Sequence, residues 1–185
     1  MAEYYLISQL PSLDGLNDNT PLPITSERFE ELCSRFLGKK ALNEFRTLTL
    51  RPSRNPEKSS SSLIEKWNEG ERNLRLALAK MRADKMNKQF NCEMQLFSPS
   101  LLQAVRTAID IESPMEAEKF LNKFRLDYLE SLRPTDSFSQ EYIFYYGLKL
   151  MLIERIRKFD SESGKTAYRN IYLSVINGEE SEVTQ

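Results

Sequence analysis

The stretch Ser62–Met86, SLIEKWNEGERNLRLALAKMRADKM, restricts the possible folds of this chain more than any other part of it. It opens with Ser62-Leu63-Ile64-Glu65, the spacing at which a serine hydroxyl and a glutamate carboxylate reciprocally cap the free amides of a helix start. At 100° per residue, Leu63, Trp67, Gly70, Leu74, Ala77, Leu78 and Met81 form one stripe roughly 100° wide, the pattern of a helix that buries one side. Such a helix of 25 residues is roughly 37 Å long. Leu76, Ala79 and Ala83 fall on the opposite side, where a second helix can lie. The reading is an all-α fold: an irregular helical bundle of about seven helices around a long central helix, residues 62–88, with at most one short N-terminal strand.

The rest of the chain reads as shorter helices. Tyr4 to Leu10 is either a lone strand or the first turns of a helix, and periodicity does not choose over so few residues. Pro11 to Pro23, with Asp14-Gly15 and three prolines, has loop chemistry. Thr25 or Ser26 caps a helix through Phe29, Leu32, Cys33 and Phe36, closed by Gly38, and a second short helix runs from Lys39 to about Leu48, burying Leu42 and Phe45. Leu50 to Ser61, LRPSRNPEKSSS, reads as a flexible, protease-sensitive connector.

After an ambiguous Phe90–Phe97, Ser98-Pro99 and Ser113-Pro114-Met115-Glu116 are two further helix starts, and Arg133-Pro134 ends the second helix. Ser137-Phe138-Ser139-Gln140 starts another, reaching about Phe159, with Gly147 pointing to a close crossing. Asp160 to Lys165 reads as a turn and Tyr168 to Ile176 as a last short helix stopped by Asn177-Gly178. The expected organisation is an N-terminal helical segment 1–50, a connector 51–61, a main bundle 62–177 and a disordered tail 178–185.

Composition narrows the chemistry. The chain has no histidine, which removes the commonest general base and zinc ligand, and its two cysteines, Cys33 and Cys92, imply no disulfide framework. With 26 basic against 27 acidic residues there is no overall field to attract nucleic acid, so no nucleic-acid partner is expected. The start MAEYYLISQLPSLDG lacks the pattern of a signal peptide, and the apolar run Tyr142–Ile153 is interrupted by Lys149 and too short to span a bilayer. A cytoplasmic chain, at most peripheral to a membrane, is the expectation.

No glycine-rich phosphate loop is present, so no cofactor is expected. Asp110, Glu112, Glu116 and Glu118 straddle a helix break without ligand spacing, so capping is the better account and no metal is expected either. Glu154 reads as part of a helix-end cluster with Arg155, Arg157 and Lys158. The one surface singled out lies on the long helix, where Leu63–Lys88 carries seven basic against four acidic residues. Arg72, Arg75, Arg82 and Lys85 are the candidate partner contacts, because guanidinium forks match carboxylates. The plainer alternative is a solvated helix with pairs such as Glu71–Arg75 at i, i+4. Arg75 and Arg82 sit at the border of the apolar stripe, where a charge is partly desolvated.

Three stretches, EYYLISQLPSL, PITSERFEELC and IEKWNEGERNLRLALAKMRADKM, resemble a bacterial family encoded beside V-type (A/V-type) rotary ATPase genes and similar to the central-stalk component of those machines, the V-type C subunit. The resemblance implies a non-catalytic part on the cytoplasmic face of the inner membrane. It would couple the rotor shaft to the membrane ring in ion transport, with other ATPase subunits as partners. Read from the residues alone, the competing account is a helical adaptor or regulator that binds a partner helix. An enzyme is the least favoured class.

Overall fold

The structure, a computed structural model, describes residues 2–16, 20–53, 58–90, 97–158 and 161–182, with backbone alone at 2, 161–163 and 175–182. Eight helices are present among them and no strand: α1 (Ala2–Gln9), α2 (Ser26–Phe36), α3 (Lys39–Phe45), α4 (Ser62–Lys85), α5 (Pro99–Asp110), α6 (Pro114–Ser131), α7 (Gln140–Arg157) and α8 (Ser161–Glu182). The fold is an all-α bundle. The N-terminal segment is helix rather than strand, and Leu6 on α1 is fully buried.

Two apolar cores share two helices, α4 and α6. Leu63, Ile64 and Trp67 at the start of α4 join α1, α2, α3, α7 and Leu129 of α6 in the larger core. Leu74, Ala77 and Leu78, two turns further on, pack with Val105 and Ala108 of α5 and Leu121 of α6 in the smaller one. The apolar stripe of α4 thus serves both cores in succession. Described residues from Leu6 to Leu48, Phe29 and Phe45 among them, contribute to the same core as α4 and α7. Helix α7 is the most enclosed element, with every residue from Ile143 to Leu150 buried. A helix covered on all sides needs no amphipathic period. Gly147 lies beneath the α2–α3 corner, where an added Cβ would sit 3.1 Å from both Leu48 and Phe29 and 3.3 Å from Phe45, so the close approach expected there is made by side chains.

Several helix ends differ from the spacing-based reading. The cap of α4 is Ser61, whose hydroxyl accepts from the Ile64 amide, one residue before the expected Ser62. The role reserved for Glu65 is taken by Glu141 of α7, whose carboxylate accepts from the amides of Ser62 and Leu63 at 3.0 and 3.2 Å. Likewise α7 is capped by Ser139, not Ser137, and Gly38 precedes α3 as its cap while Leu37 closes α2. At the far end of α4, Asn87 adopts φ 53°, and Lys88 donates its amide to the Ala83 carbonyl at 2.8 Å. This left-handed closure ends the helix at Lys85 rather than Lys88.

Two segments expected to be loose show local structure among their described residues. In the connector, residues 54–57 lie outside the described residues, but Ser59, Ser60 and Ser61 all hydrogen-bond to Glu44 Oε1, at 2.6–3.1 Å. The serine run is a fastening between α3 and α4. At the C-terminus, α8 continues through Asn177-Gly178 to Glu182, and Gly164 also lies within it. A glycine costs a helix about 1 kcal/mol without prohibiting it. The expected disordered tail falls partly in α8, and 183–185 lie outside the described residues, as does most of the ambiguous segment 90–97.

Candidate interaction surface and buried charge clusters

The four basic residues singled out on α4 do not act alike. Arg75 turns inward: its Nε donates to Glu71 Oε1 at 3.0 Å and its Nη2 to the Leu50 carbonyl at 2.9 Å. Arg72 is half-buried, and its Nε has no hydrogen-bond partner among the described residues. Arg82 is exposed, and Lys85, also exposed, donates to the Ile109 carbonyl at 3.2 Å. On the helix wheel Arg75 and Arg82 lie roughly 20° apart, with Arg72 and Lys85 each roughly 60° further to either side. The solvent-facing part of this surface is therefore Arg82 and Lys85. Met86, 59 % exposed, follows directly.

Glu71 is not the solvated i, i+4 partner that its spacing suggests. Its side chain is 1 % exposed and receives a second guanidinium, Arg125 of α6, at 3.0 Å. Arg125 also donates to Asn122 Oδ1 at 3.0 Å and to Glu118 at 3.3 Å, and Glu118 in turn pairs with Arg155 of α7. A chain of alternating charge thus crosses α4, α6 and α7. Beside it lies a cavity of about 390 Å³ bounded by Trp67, Gly70, Phe124 and Tyr128. Glu154, expected in a helix-end cluster, instead accepts from the amide and hydroxyl of Ser26 at 2.9 and 2.7 Å, covering the start of α2. Among the described residues no group of three carboxylates or cysteines is placed to hold a metal ion.

A second charge cluster escaped the sequence reading. Lys149 is buried in the middle of α7, with Glu130 of α6 at 2.6 Å, Asp14 of the α1–α2 loop in contact, and the Tyr145 hydroxyl at 3.3 Å. Burial works against its charge, but the Asp14 and Glu130 hydrogen bonds outweigh it and hold the ammonium above the ordinary lysine range. The Lys149 bond in turn holds the Asp14 carboxyl below its usual value. Arg133 lies over the rings of Tyr145 and Tyr142 at 5.9 and 6.0 Å, and Tyr146 donates to the Pro11 carbonyl at 2.8 Å. Burial pushes the Tyr145 phenol up to about 12. The signal available in the sequence was the lysine itself. A charge inside a wholly apolar run has to meet a counter-charge from another element.

Residues 98–178 are similar to a family described as a protein of unknown function (DUF2764). The matched segment is just under half of the chain, from the cap of α5 into α8. It takes in Glu118, Arg125, Arg133, Lys149 and Arg155 and leaves out α1 to α4. No curated protein and no solved structure matches the chain.

Apolar side chains also reach the surface together on α8. Tyr168, Ile171, Tyr172 and Leu173 are between 47 and 70 % exposed, and the rings of Tyr168 and Tyr172 stack 6.2 Å apart. No helix among the described residues is long and apolar enough to cross a membrane.

Proposed function

We propose that this chain is a non-catalytic helical component of a V-type rotary ATPase, similar to the central-stalk C subunit, that works by holding other subunits in place on the cytoplasmic side of the membrane. The observation that carries the reading is how the buried charges are used. Glu71, Arg125 and Lys149 each bridge two elements. Charged side chains deployed this way brace helices against one another, which suits a part that transmits force and does no chemistry.

The surface supplies what such a part needs. Arg82 and Lys85 offer a basic end on α4, and α8 carries a row of exposed apolar side chains, the kind of face that partner helices cover. The same row on α8 favours the second reading, a helical adaptor outside any ATPase, and the two differ in the partners they recruit.

The test is charge reversal on the outward pair. Arg82→Glu/Lys85→Glu leaves the Arg75 bonds untouched. This variant is expected to fold with unchanged helicity and to recover at least tenfold less of the ATPase subunits on affinity purification. Undiminished recovery removes the basic end of α4 from the interface.

A further inference from the structure

The Lys149 cluster is built unevenly. The Lys149 side chain is 8 % exposed, whereas that of its partner Asp14 is 59 % exposed. Lys149 keeps a second carboxylate, Glu130 at 2.6 Å, on the packed helix α6. Asp14 stands on a turn, its amide donating to Ser12 Oγ at 3.1 Å, with Gly15 following at φ 70°. Its two oxygens face two cations, Oδ1 toward Lys149 Nζ and Oδ2 toward Arg133 Nη1 at 3.8 Å. Beside this arrangement a cavity of about 240 Å³ is lined by Ser12, Tyr142, Tyr145 and the charged residues themselves.

Cations set on both oxygens of a carboxyl group form a receptor for that group, whichever chain supplies it. We propose that Lys149 and Arg133 form a carboxylate-binding subsite, filled by the chain's own Asp14 and able to accept an acidic side chain of a protein partner in its place. The asymmetry in burial makes exchange feasible. Asp14 already stands largely in water, so releasing it exposes little, while Lys149 keeps Glu130 throughout.

The electrostatic balance selects the occupant. With Asp14 turned outward, the cavity wall carries the charges of Lys149 and Arg133, opposed among the described residues by Glu130 on Lys149. An incoming carboxylate restores the original pairing. At about 240 Å³ the space suits one side chain and falls below the 300–1,000 Å³ typical of small-molecule sites. The rings of Tyr142 and Tyr145 give the Arg133 guanidinium a contact independent of Asp14. This subsite stands independently of the ATPase assignment, since it concerns the chemistry of the occupant and not the name of the partner.

The experiment empties the site and refills it. Asp14→Ala removes the resident carboxyl, and thermal unfolding is followed against sodium acetate at constant ionic strength, with sodium chloride as the reference salt. Acetate at tenfold over its dissociation constant is expected to raise the Asp14→Ala midpoint by about 3 °C or more, saturably, and to leave the wild-type midpoint unmoved. Arg133→Gln added to Asp14→Ala lowers that response by half or more. If Asp14→Ala does not fold, Asp14→Asn, which keeps the shape without the charge, is held to the same criteria. No response, or an equal response in wild type, overturns the subsite. A short amidated glutamate peptide is then titrated calorimetrically and is expected to bind Asp14→Ala at least tenfold more tightly than wild type. An acetate response without peptide binding overturns the partner's side chain as occupant.

Discussion

Glu71 of α4 and Arg125 of α6 meet at 3.0 Å with side chains 1 and 8 % exposed, so two helices in the middle of the bundle are joined by oppositely charged groups withdrawn from water. Desolvation offsets much of such a pair's attraction, but losing Arg125 leaves the buried Glu71 carboxylate with only the partly exposed Arg75 to balance it. Arg125→Met is therefore expected to destabilise the protein by about 2–3 kcal/mol in urea unfolding, less than for a buried charge left with no partner. Glu71→Leu combined with Arg125→Met is expected to recover most of the loss. A double variant as unstable as the single one would show that the charges contribute more than their pairing.

Gly70 permits a contact that no other residue allows. A Cβ there would lie 2.3 Å from the Tyr128 ring, whose hydroxyl donates to the Lys66 carbonyl at 2.8 Å. In an open helix Gly→Ala gains about 1 kcal/mol, but here displacement of the ring is expected to reverse the sign, with a net loss of about 1–3 kcal/mol. In a Tyr128→Ala background the same substitution should become neutral or stabilising. The measurement is a double-mutant cycle by chemical denaturation, and additive effects would contradict the contact.

Acid should loosen the α3–α4 junction. Hydrogen bonds from Ser60, Ser59 and Ser61, the Ser60 hydroxyl foremost, hold the Glu44 carboxyl below its ordinary value of 4.5. A carboxyl with a depressed pKa in the folded state contributes stability that is complete above the unfolded value. That contribution disappears as pH falls through the folded value. Denaturation midpoints should therefore drop from about pH 4.5 downward, and Glu44→Gln should show a shallower drop over that same acid range. Parallel curves for the two proteins would exclude the serine fastening.

The α2 thiol offers a chemical check on the larger core. Cys33 is fully buried, and burial pushes its thiol up to about 12. In a Cys92→Ser background, a thiol reagent at about pH 8 should leave Cys33 unmodified for as long as the protein stays folded and should label it on addition of denaturant. Rapid labelling of the native protein would place α2 outside the core.

How far the residue pattern revealed the molecule depends on the kind of interaction. Helices were legible wherever an apolar period and a local cap coincide, as at Ser98-Pro99 and Ser113-Pro114, because both signals lie within one turn of sequence. At α7 the cap was misplaced by two residues between two serines of one turn, and at α4 by one residue, where a further acceptor comes from far away. Glu141 serves α4 across 78 residues or more, and no local spacing encodes that. Helix α8 ran past two glycines because propensity is a weak prior. At the candidate surface, Arg75 lies partly exposed at the edge of the apolar stripe, but its bonds to the Leu50 carbonyl and the shared Glu71 occupy its guanidinium within the chain. The Lys149 cluster draws on a loop, α6 and α7, so only the oddity of a lysine in an apolar run marked it.

The measurement that bears most directly on the proposed role is affinity purification of the tagged full chain from cells that express it, with quantitative mass spectrometry of the proteins recovered. The prediction is that rotary ATPase subunits, including those of the rotor shaft and membrane ring, are enriched together and in fixed ratio to the tagged chain. Purification of an intact ATPase from the same cells without this chain, and of the chain without any ATPase subunit, would contradict it.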